Sequence, residues 1–430
     1  MRNIGLRGTV AALSCVALGA LAACGGPAAA DELRGTAPYA PADPTEVPAT
    51  EVEPVMIASE ELGVHLMASA EPGANSVVSP ASATIAFGML APGASGEGAE
   101  DMTRLLGADP DTAVRVVNAF VNRLSEWEGD PEGFDPEEIP DTPFLHIANR
   151  AVVDDEFEPK ESYLDSLVTN FDAGVTQADL ADPSTKAVFD EWVNHHTAGL
   201  IPESAMDPSD DLVLVLQNAV LFGAQWQQPF EEAQTTPRPF ILGDGTSVDV
   251  DMMTQLAMAG YAEQDGWSAI SLNYSEGLVA LFFLPPAGTD PLEGDPAATA
   301  STLRELEGAL AEAPPSSVQV TIPVIDTEAK TQILPVLSDL GYSAILQGTA
   351  RPFDGIADAE LFIGQATQQA ILKVNEEGTV AAAVTEMGVG ATSAPMVDHE
   401  FTADRPFIMT VVSPYYGWDL FQAAIRDPRN

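Results

Sequence analysis

The sequence predicts an α+β protein built as one large domain, and three observations carry that prediction. Helix-like and strand-like segments alternate from about Val55 onward without a repeat of fixed period. Apolar residues make up 46% of the 430 and charged residues 19%, a balance that supports a sizeable core and excludes wholesale disorder. No second Pro/Gly/Ser-rich linker divides the chain after roughly the first fifty residues.

Ser59 is placed to cap a helix whose apolar face uses Leu62, Leu66 and Met67. Ser79-Pro80 opens a second helix through Ile85, Phe87 and Met89, with proline at the position where its missing N–H costs nothing. Strands follow. Leu212 to Phe222 and Val279 to Leu284 are apolar runs, and Val318 to Ile322 alternates with period two. Asp244-Gly245, between Phe240-Ile241-Leu242 and Val248-Asp249-Val250, predicts a tight hairpin. Glu126 to Pro143, acidic and rich in Pro and Gly, reads as a surface insertion.

The N-terminus carries a different message. Residues 1–23 have Arg2 and Arg7, then an apolar run from Val10 to Leu18, the pattern of an export signal too short to stay in a membrane. Leu21-Ala22-Ala23-Cys24-Gly25 resembles a bacterial lipobox, so Cys24 is the expected lipidation site and the mature protein is expected on the outer face of the cell membrane, facing the extracellular side, held there by the lipid alone. Cys15 is lost with the signal and Cys24 is consumed by lipid, so no disulfide is expected. Residues 24–54 hold Pro27, Pro38, Pro41, Pro44, Pro48 and Pro54, and their composition predicts a disordered tether reaching up to roughly 90 Å. The folded domain is expected over 55–430.

There are 17 basic and 65 acidic residues, a net charge of −48. Such a surface repels nucleic acid and anionic lipid, and it lacks the basic cluster that a heparin-like polyanion would need. A monomer is expected. Catalysis has no support: there is no Gly-X-Ser-X-Gly elbow, no cysteine nucleophile and no phosphate-binding glycine loop. The adjacent His195-His196 pair lacks the spacing of a metal site and is read as exposed histidines at a helix end, so no metal and no cofactor are expected.

Five colinear blocks give the chain its resemblance. They are Asn75-Ser76-Val77-Val78-Ser79-Pro80-Ala81-Ser82; Leu145-His146-Ile147-Ala148-Asn149-Arg150; Trp192-Val193-Asn194 through Ile201; Gln217-Asn218-Ala219-Val220 with Trp226 and Pro229-Phe230; and Val374-Asn375-Glu376-Glu377-Gly378-Thr379 with Phe401 to Phe407. Over about residues 55 to 428 the sequence resembles the serpins, a family of serine protease inhibitors. The resemblance implies three β-sheets, a five-stranded central sheet able to accept a sixth strand, about nine helices, and an exposed reactive-centre loop. It places Ser79, Ser82 and Asn218 in the shutter and Trp226 in the breach, the regions where the central sheet opens. Gln368 stands where the family commonly has a histidine, and its amide offers both a donor and an acceptor.

The resemblance also makes Glu376, Glu377, Gly378, Thr379, Ala381, Ala382 and Ala383 a hinge. After cleavage the loop inserts into the central sheet, with Thr379, Ala381, Ala383 and Thr385 pointing inward; all are small and uncharged, so insertion meets no buried charge. The implied partner is a serine protease, trapped as a covalent acyl complex. Counting Glu376 as one, the seventeenth residue is Thr392, which puts the scissile bond at Thr392-Ser393; the count from Phe401 favours Met396-Val397 instead. Gly390-Ala391-Thr392 suits the shallow pocket of elastase-like or subtilisin-like enzymes. The rival expectation is a non-inhibitory member that acts as a surface binding module.

Overall fold

The structure, a computed structural model, describes residues 31–135, 138–140, 142–379, 397–413, 415 and 417–430. In chain order the elements begin β1 (Asp31–Leu33), α1 (Ala49–Ala68), β2 (Ser76–Val78), α2 (Pro80–Leu90), α3 (Gly96–Leu106), α4 (Pro110–Leu124), β3 (Phe144–Asp154) and α5 (Glu161–Phe171). They continue β4 (Val175–Ala178), α6 (Thr185–His196), β5 (Leu214–Gln225), β6 (Thr236–Ile241), β7 (Ser247–Gln264), β8 (Trp267–Asn273), β9 (Val279–Leu284) and α7 (Pro296–Glu312). The last are β10 (Ser316–Pro323), β11 (Ile325–Gln332), α8 (Ile333–Asp339), β12 (Gln365–Val374), β13 (Gly378–Thr379), β14 (His399–Thr402), β15 (Phe407–Val412) and β16 (Asp419–Ile425).

The central sheet runs β1-β4-β3-β5-β13-β12-β11. Five strands were expected. The two additions are β1, on the β4 edge, and the two-residue β13, seated between β5 and β12. The second sheet runs β14-β10-β7-β8-β9-β15-β16-β2, with β6 also on β7. Two of the three expected sheets are thereby joined, because the 18-residue β7 pairs with β6 and β10 along one stretch and with β8 along the next. Eight α-helices occur among the described residues.

Helix α2 lies buried along its whole length, since Pro80 to Leu90 are small or apolar on every side. Ser79 caps it, its Oγ accepting from the Ser82 N–H at 3.3 Å. Gly63 lets α1 cross close by, for a Cβ there would collide with Pro80 and Gln422. The Asp244-Gly245 hairpin forms as read, with Gly245 at φ 83° and Asp244 Oδ1 accepting from the Thr246 N–H at 2.8 Å.

Three expectations need correction. The tether predicted over 24–54 is folded from Asp31 onward. β1 pairs with β4, and side chains of α4 and α5 serve the backbone that follows: Asp165 accepts from the N–H groups of Thr36 and Ala37, and Asn122 donates to Ala42 O. Helix α1 starts at Ala49, ten residues before Ser59. Ser59 is buried within it, accepting from Thr84 Oγ1 and from the Trp418 indole N–H. The Glu126 to Pro143 insertion also packs inward, with Phe134 tilted against Phe144 at 4.6 Å and Ile139 buried. Residues 1–30, Cys24 among them, lie outside the described residues.

Between α1, α7 and β16 three carboxyls meet. Glu60 Oε2 accepts from Arg304 Nε at 2.9 Å and Asp419 Oδ2 from Gln422 Nε2 at 2.6 Å, while Glu60 Oε1, Glu307 Oε1 and Asp419 Oδ1 have no partner among the described residues. Burial pushes Glu60 up to about 7 against the opposing pull of Arg304. Burial and then Asp419 raise Glu307; burial and then Glu60 raise Asp419. Because the folded values lie above the ordinary carboxylate range, the native state binds more protons than the unfolded one, so stability is lost as pH rises from about 4 through about 7. The melting temperature should therefore fall between pH 5 and pH 8, and Asp419→Asn should flatten that slope. An unchanged slope in Asp419→Asn would remove the cluster as its cause.

Candidate sheet-opening site

β5 and β12 are the parallel neighbours at the middle of the central sheet, yet they pair only from Val215↔Gln365 to Ala219↔Gln369. Higher up they separate. β13 fills the top of the separation, antiparallel to both, with Gly378 opposite Gln225 and Thr379 opposite Ala224 and Val374. Between these levels, Val220–Gly223 of β5 and Ala370–Lys373 of β12 have no strand pairing across the gap among the described residues.

The turn that enters the gap is built by Asn375. Its Oδ1 accepts from the N–H groups of Glu377 and Gly378 at 3.1 Å, and its N–H donates to Gly378 O at 2.9 Å. Glu376 and Glu377 are held by their backbone: Phe230 N–H donates to Glu376 O and Trp226 N–H to Glu377 O, each at 2.7 Å. The Glu376 carboxylate also accepts from the Thr235 hydroxyl. Gly378 is required by space, since a Cβ would run into Ala224 O. Thr379 is 1% exposed, its hydroxyl 2.6 Å from the Tyr274 hydroxyl. Trp226 lies stacked on Tyr274 at 4.3 Å and donates its indole N–H to Asn375 O at 2.9 Å. Ala381, Ala382, Ala383, Thr392 and Ser393 lie outside the described residues.

Below the gap, Ser79, Ser82 and Asn218 come together. Asn218 Nδ2 donates to Ser82 Oγ and to Asn149 Oδ1 of β3, and its Oδ1 accepts from Gln368 Nε2 at 3.1 Å. Gln368 Oε1 accepts from the Ser79 N–H at 2.7 Å, and Nε2 donates to Ser79 O at 2.9 Å. On the other face, Gln369 Oε1 accepts from the Ala205 N–H at 2.8 Å and Gln217 Nε2 donates to Phe189 O at 3.2 Å. Tyr274, Asn149, Gln217 and Gln369 were not singled out from sequence as site residues. The adjacent amides Gln368-Gln369, ahead of the apolar Ala370-Ile371-Leu372, were the available signal; Tyr274 left none.

Of the pair read as exposed at a helix end, His195 is exposed at the end of α6 and His196 departs from that reading. His196 is half-buried at the end of α6, its Nδ1 2.9 Å from His146 Nε2, while His146 Nδ1 lies 2.6 Å from Glu128. Burial, then His146, His195 and Arg150, push His196 down to about 3, so it is neutral through the ordinary pH range. No cluster of three or more His, Cys, Asp or Glu suited to a metal ion occurs among the described residues.

Comparison with known proteins agrees with this geometry. The family model described as Serpin (serine protease inhibitor) matches residues 61–428. A serine protease inhibitor of Cyanea capillata is 29% identical over 388 residues, 86% of this chain and 97% of that protein. Among solved structures, the thermophilic serpin tengpin in its native state aligns with a TM-score of 0.76 at 22% identity, over 86% of this chain and 94% of its own. Human thyroxine-binding globulin complexed with its hormone aligns at 0.73 and 22%, over 88% and 99%.

The hydrogen bonds to Gln368 yield a direct test. Gln368→Ala leaves the Ser79 N–H, the Ser79 carbonyl and Asn218 Oδ1 short of a partner in a buried site, which should cost about 2–4 kcal/mol. Urea unfolding measures it. A loss below about 0.5 kcal/mol would mean that these groups find other partners.

Proposed function

The chain belongs to the serpin family, and on that premise we propose that it inhibits serine proteases irreversibly as a suicide substrate. The observation that carries the reading is the seat of β13: the chain leaving β12 already turns back into the sheet, and directly below Thr379 the facing edges of β5 and β12 lack a strand between them among the described residues. A cleaved loop continuing from Thr379 would run antiparallel to both neighbours and complete their ladders. Each hydrogen bond so gained is worth about 1 kcal/mol net. The small side chains of Ala381, Ala383 and Thr385 suit the inward positions that Thr379 begins.

Thr392-Ser393 is the proposed scissile bond, and its neighbours Gly390 and Ala391 favour elastase-like or subtilisin-like enzymes, which accept small side chains. The protease's serine attacks the Thr392 carbonyl and becomes esterified to it as the Thr392-Ser393 peptide bond breaks and Ser393 leaves as a free amine; insertion then carries the acylated enzyme across the molecule, and deacylation is outrun. Incubation with such enzymes should give a complex that survives denaturing electrophoresis, with a released C-terminal peptide beginning at Ser393 by mass spectrometry. A peptide beginning at Val397 would move the bond. Thr379→Arg should convert the inhibitor into a substrate, because the guanidinium would occupy the buried place now held by the Thr379 hydroxyl. A clean cut without any covalent complex across a broad panel would overturn the inhibitor reading in favour of a non-inhibitory binding protein.

The proposed location is the outer face of a membrane, through lipid on Cys24. Leu21 to Gly25 supports this, and no helix among the described residues is long and apolar enough to cross a membrane. Residues 31–54 belong to the fold and so add no length to a tether. In detergent phase partitioning the wild-type chain should enter the detergent phase and Cys24→Ala the aqueous phase; equal partitioning would refute lipidation at this residue.

A further inference from the structure

β3 pairs with β4 only from Ala151 onward and takes a single bridge from Glu128 at Leu145, so its outer edge from His146 to Arg150 has no strand neighbour among the described residues. A cleft of about 580 Å³ lies along that edge. Ile85, Met89, Val121, Leu124 and Phe171, from α2, α4 and α5, give it an apolar wall. Trp192 and His196 of α6 line it too, and Glu32 and Arg34 come from the N-terminal segment that the sequence had assigned to a tether.

The charges of the cleft do not cancel locally. Arg34 is paired with Asp172 and lies 3.7 Å from Glu32, and Glu128 Oε1 lies 2.6 Å from His146 Nδ1. His196 is neutral, for the reasons given above. Arg150 is different. Its Nε donates to Gln217 Oε1 at 2.8 Å and its Nη2 to Val188 O at 2.9 Å, both neutral acceptors, and its guanidinium carbon sits 5.0 Å from the Trp192 ring centre. No carboxylate among the described residues pairs with it, and Nη1 donates to none of them. Burial pulls its pKa down to about 9, the mark of a cation held without a counter-charge. In a chain with 65 acidic residues and only 17 basic ones, a mostly buried arginine without an acidic partner is out of keeping with its surroundings. An isolated buried charge is costly, and an anion entering from the cleft would relieve it.

We propose that this cleft binds an amphipathic monocarboxylate, an alkyl or aryl acid, with its carboxylate on Arg150 and its apolar part against Ile85, Met89, Val121, Leu124 and Phe171. The single unpaired guanidinium selects one negative charge. A dianion such as phosphate would meet Glu32, Glu128 and Asp172 around the same opening without a second free cation, and it would leave the apolar wall wet. The volume lies within the range typical of small-molecule sites.

Decanoate and decyltrimethylammonium, two probes with the same tail and opposite heads, test this by titration calorimetry on the full chain. Decanoate should bind once per chain and at least tenfold tighter than the cationic probe. Arg150→Gln should weaken decanoate at least tenfold. Ala173→Phe, which fills the cleft from the loop between α5 and β4 and leaves Arg150 in place, should also weaken it. The absence of saturable decanoate binding, equal affinity for the two probes, or undiminished binding in a folded Arg150→Gln would overturn the proposal. If Arg150→Gln does not fold, the comparison of heads and Ala173→Phe decide the question. None of these readouts depends on protease inhibition, so the outcome is separate from that of the inhibitor reading.

Discussion

Where β5 meets β12, from Val215 to Ala219 on one strand and Gln365 to Gln369 on the other, two parallel strands are held together on both faces of the sheet at once. Successive strand residues point to opposite faces. Asn218 and Gln368 therefore reach Ser79, Ser82 and Asn149 on the α2 side. Their neighbours Gln217 and Gln369 reach Phe189 of α6 and the Glu203–Ala205 connection on the opposite side. Three consecutive rungs, Gln217↔Thr367, Asn218↔Gln368 and Ala219↔Gln369, are thus tied to both layers that cover the sheet. Parting β5 from β12 at this level would break the pairing and both sets of amide bonds together, whereas the gap above it is already parted.

That arrangement explains the sharp division along the two strands. Above these rungs, Trp226 stacks on Tyr274, and Tyr274 in turn receives the Thr379 hydroxyl. The breach therefore holds Gly378 and Thr379, kept there by the Asn375 turn and by a glycine that nothing larger could replace. Below the rungs, Gly364 N–H donates to Leu214 O, and the pairing runs on without a gap. A single chain thereby holds a closed and an opened form of the same strand pair within about ten residues of one another.

Much of this was legible in the sequence because it rests on local pattern. The apolar run of β5, the Ser79-Pro80 helix start and the Asp244-Gly245 turn each need only neighbouring residues, and each appears where it was read. What escaped depends on partners far along the chain. The prolines before Ala49 reduce the number of N–H groups needing satisfaction, so side chains about 75 to 130 residues away, Asn118, Asn122 and Asp165, suffice to fold a segment whose composition resembles a linker. His196 looked exposed because its partner, His146, lies on a different element fifty residues earlier. Arg150 stood inside a recognised block, yet its lack of a carboxylate partner is visible only once α6 is laid across β3.

The chemistry of the central rungs differs from that of the interior elsewhere. Asn149, Gln217, Asn218, Gln368 and Gln369 are all amides, which neither gain nor lose charge between acid and neutral pH. The chain carries 65 acidic residues, and three of its carboxyls, Glu60, Glu307 and Asp419, are buried with unpartnered oxygens between α1, α7 and β16. Burial raises their pKa values above the ordinary carboxylate range, so they couple protonation to folding. The grip on β5 and β12 does not inherit that coupling directly, since no titratable side chain bonds to Asn218 or Gln368. A histidine at position 368 would have joined the two. With glutamine there, the hydrogen bonds that join β5, β12 and the start of α2 keep their donors and acceptors unchanged between acid and neutral pH.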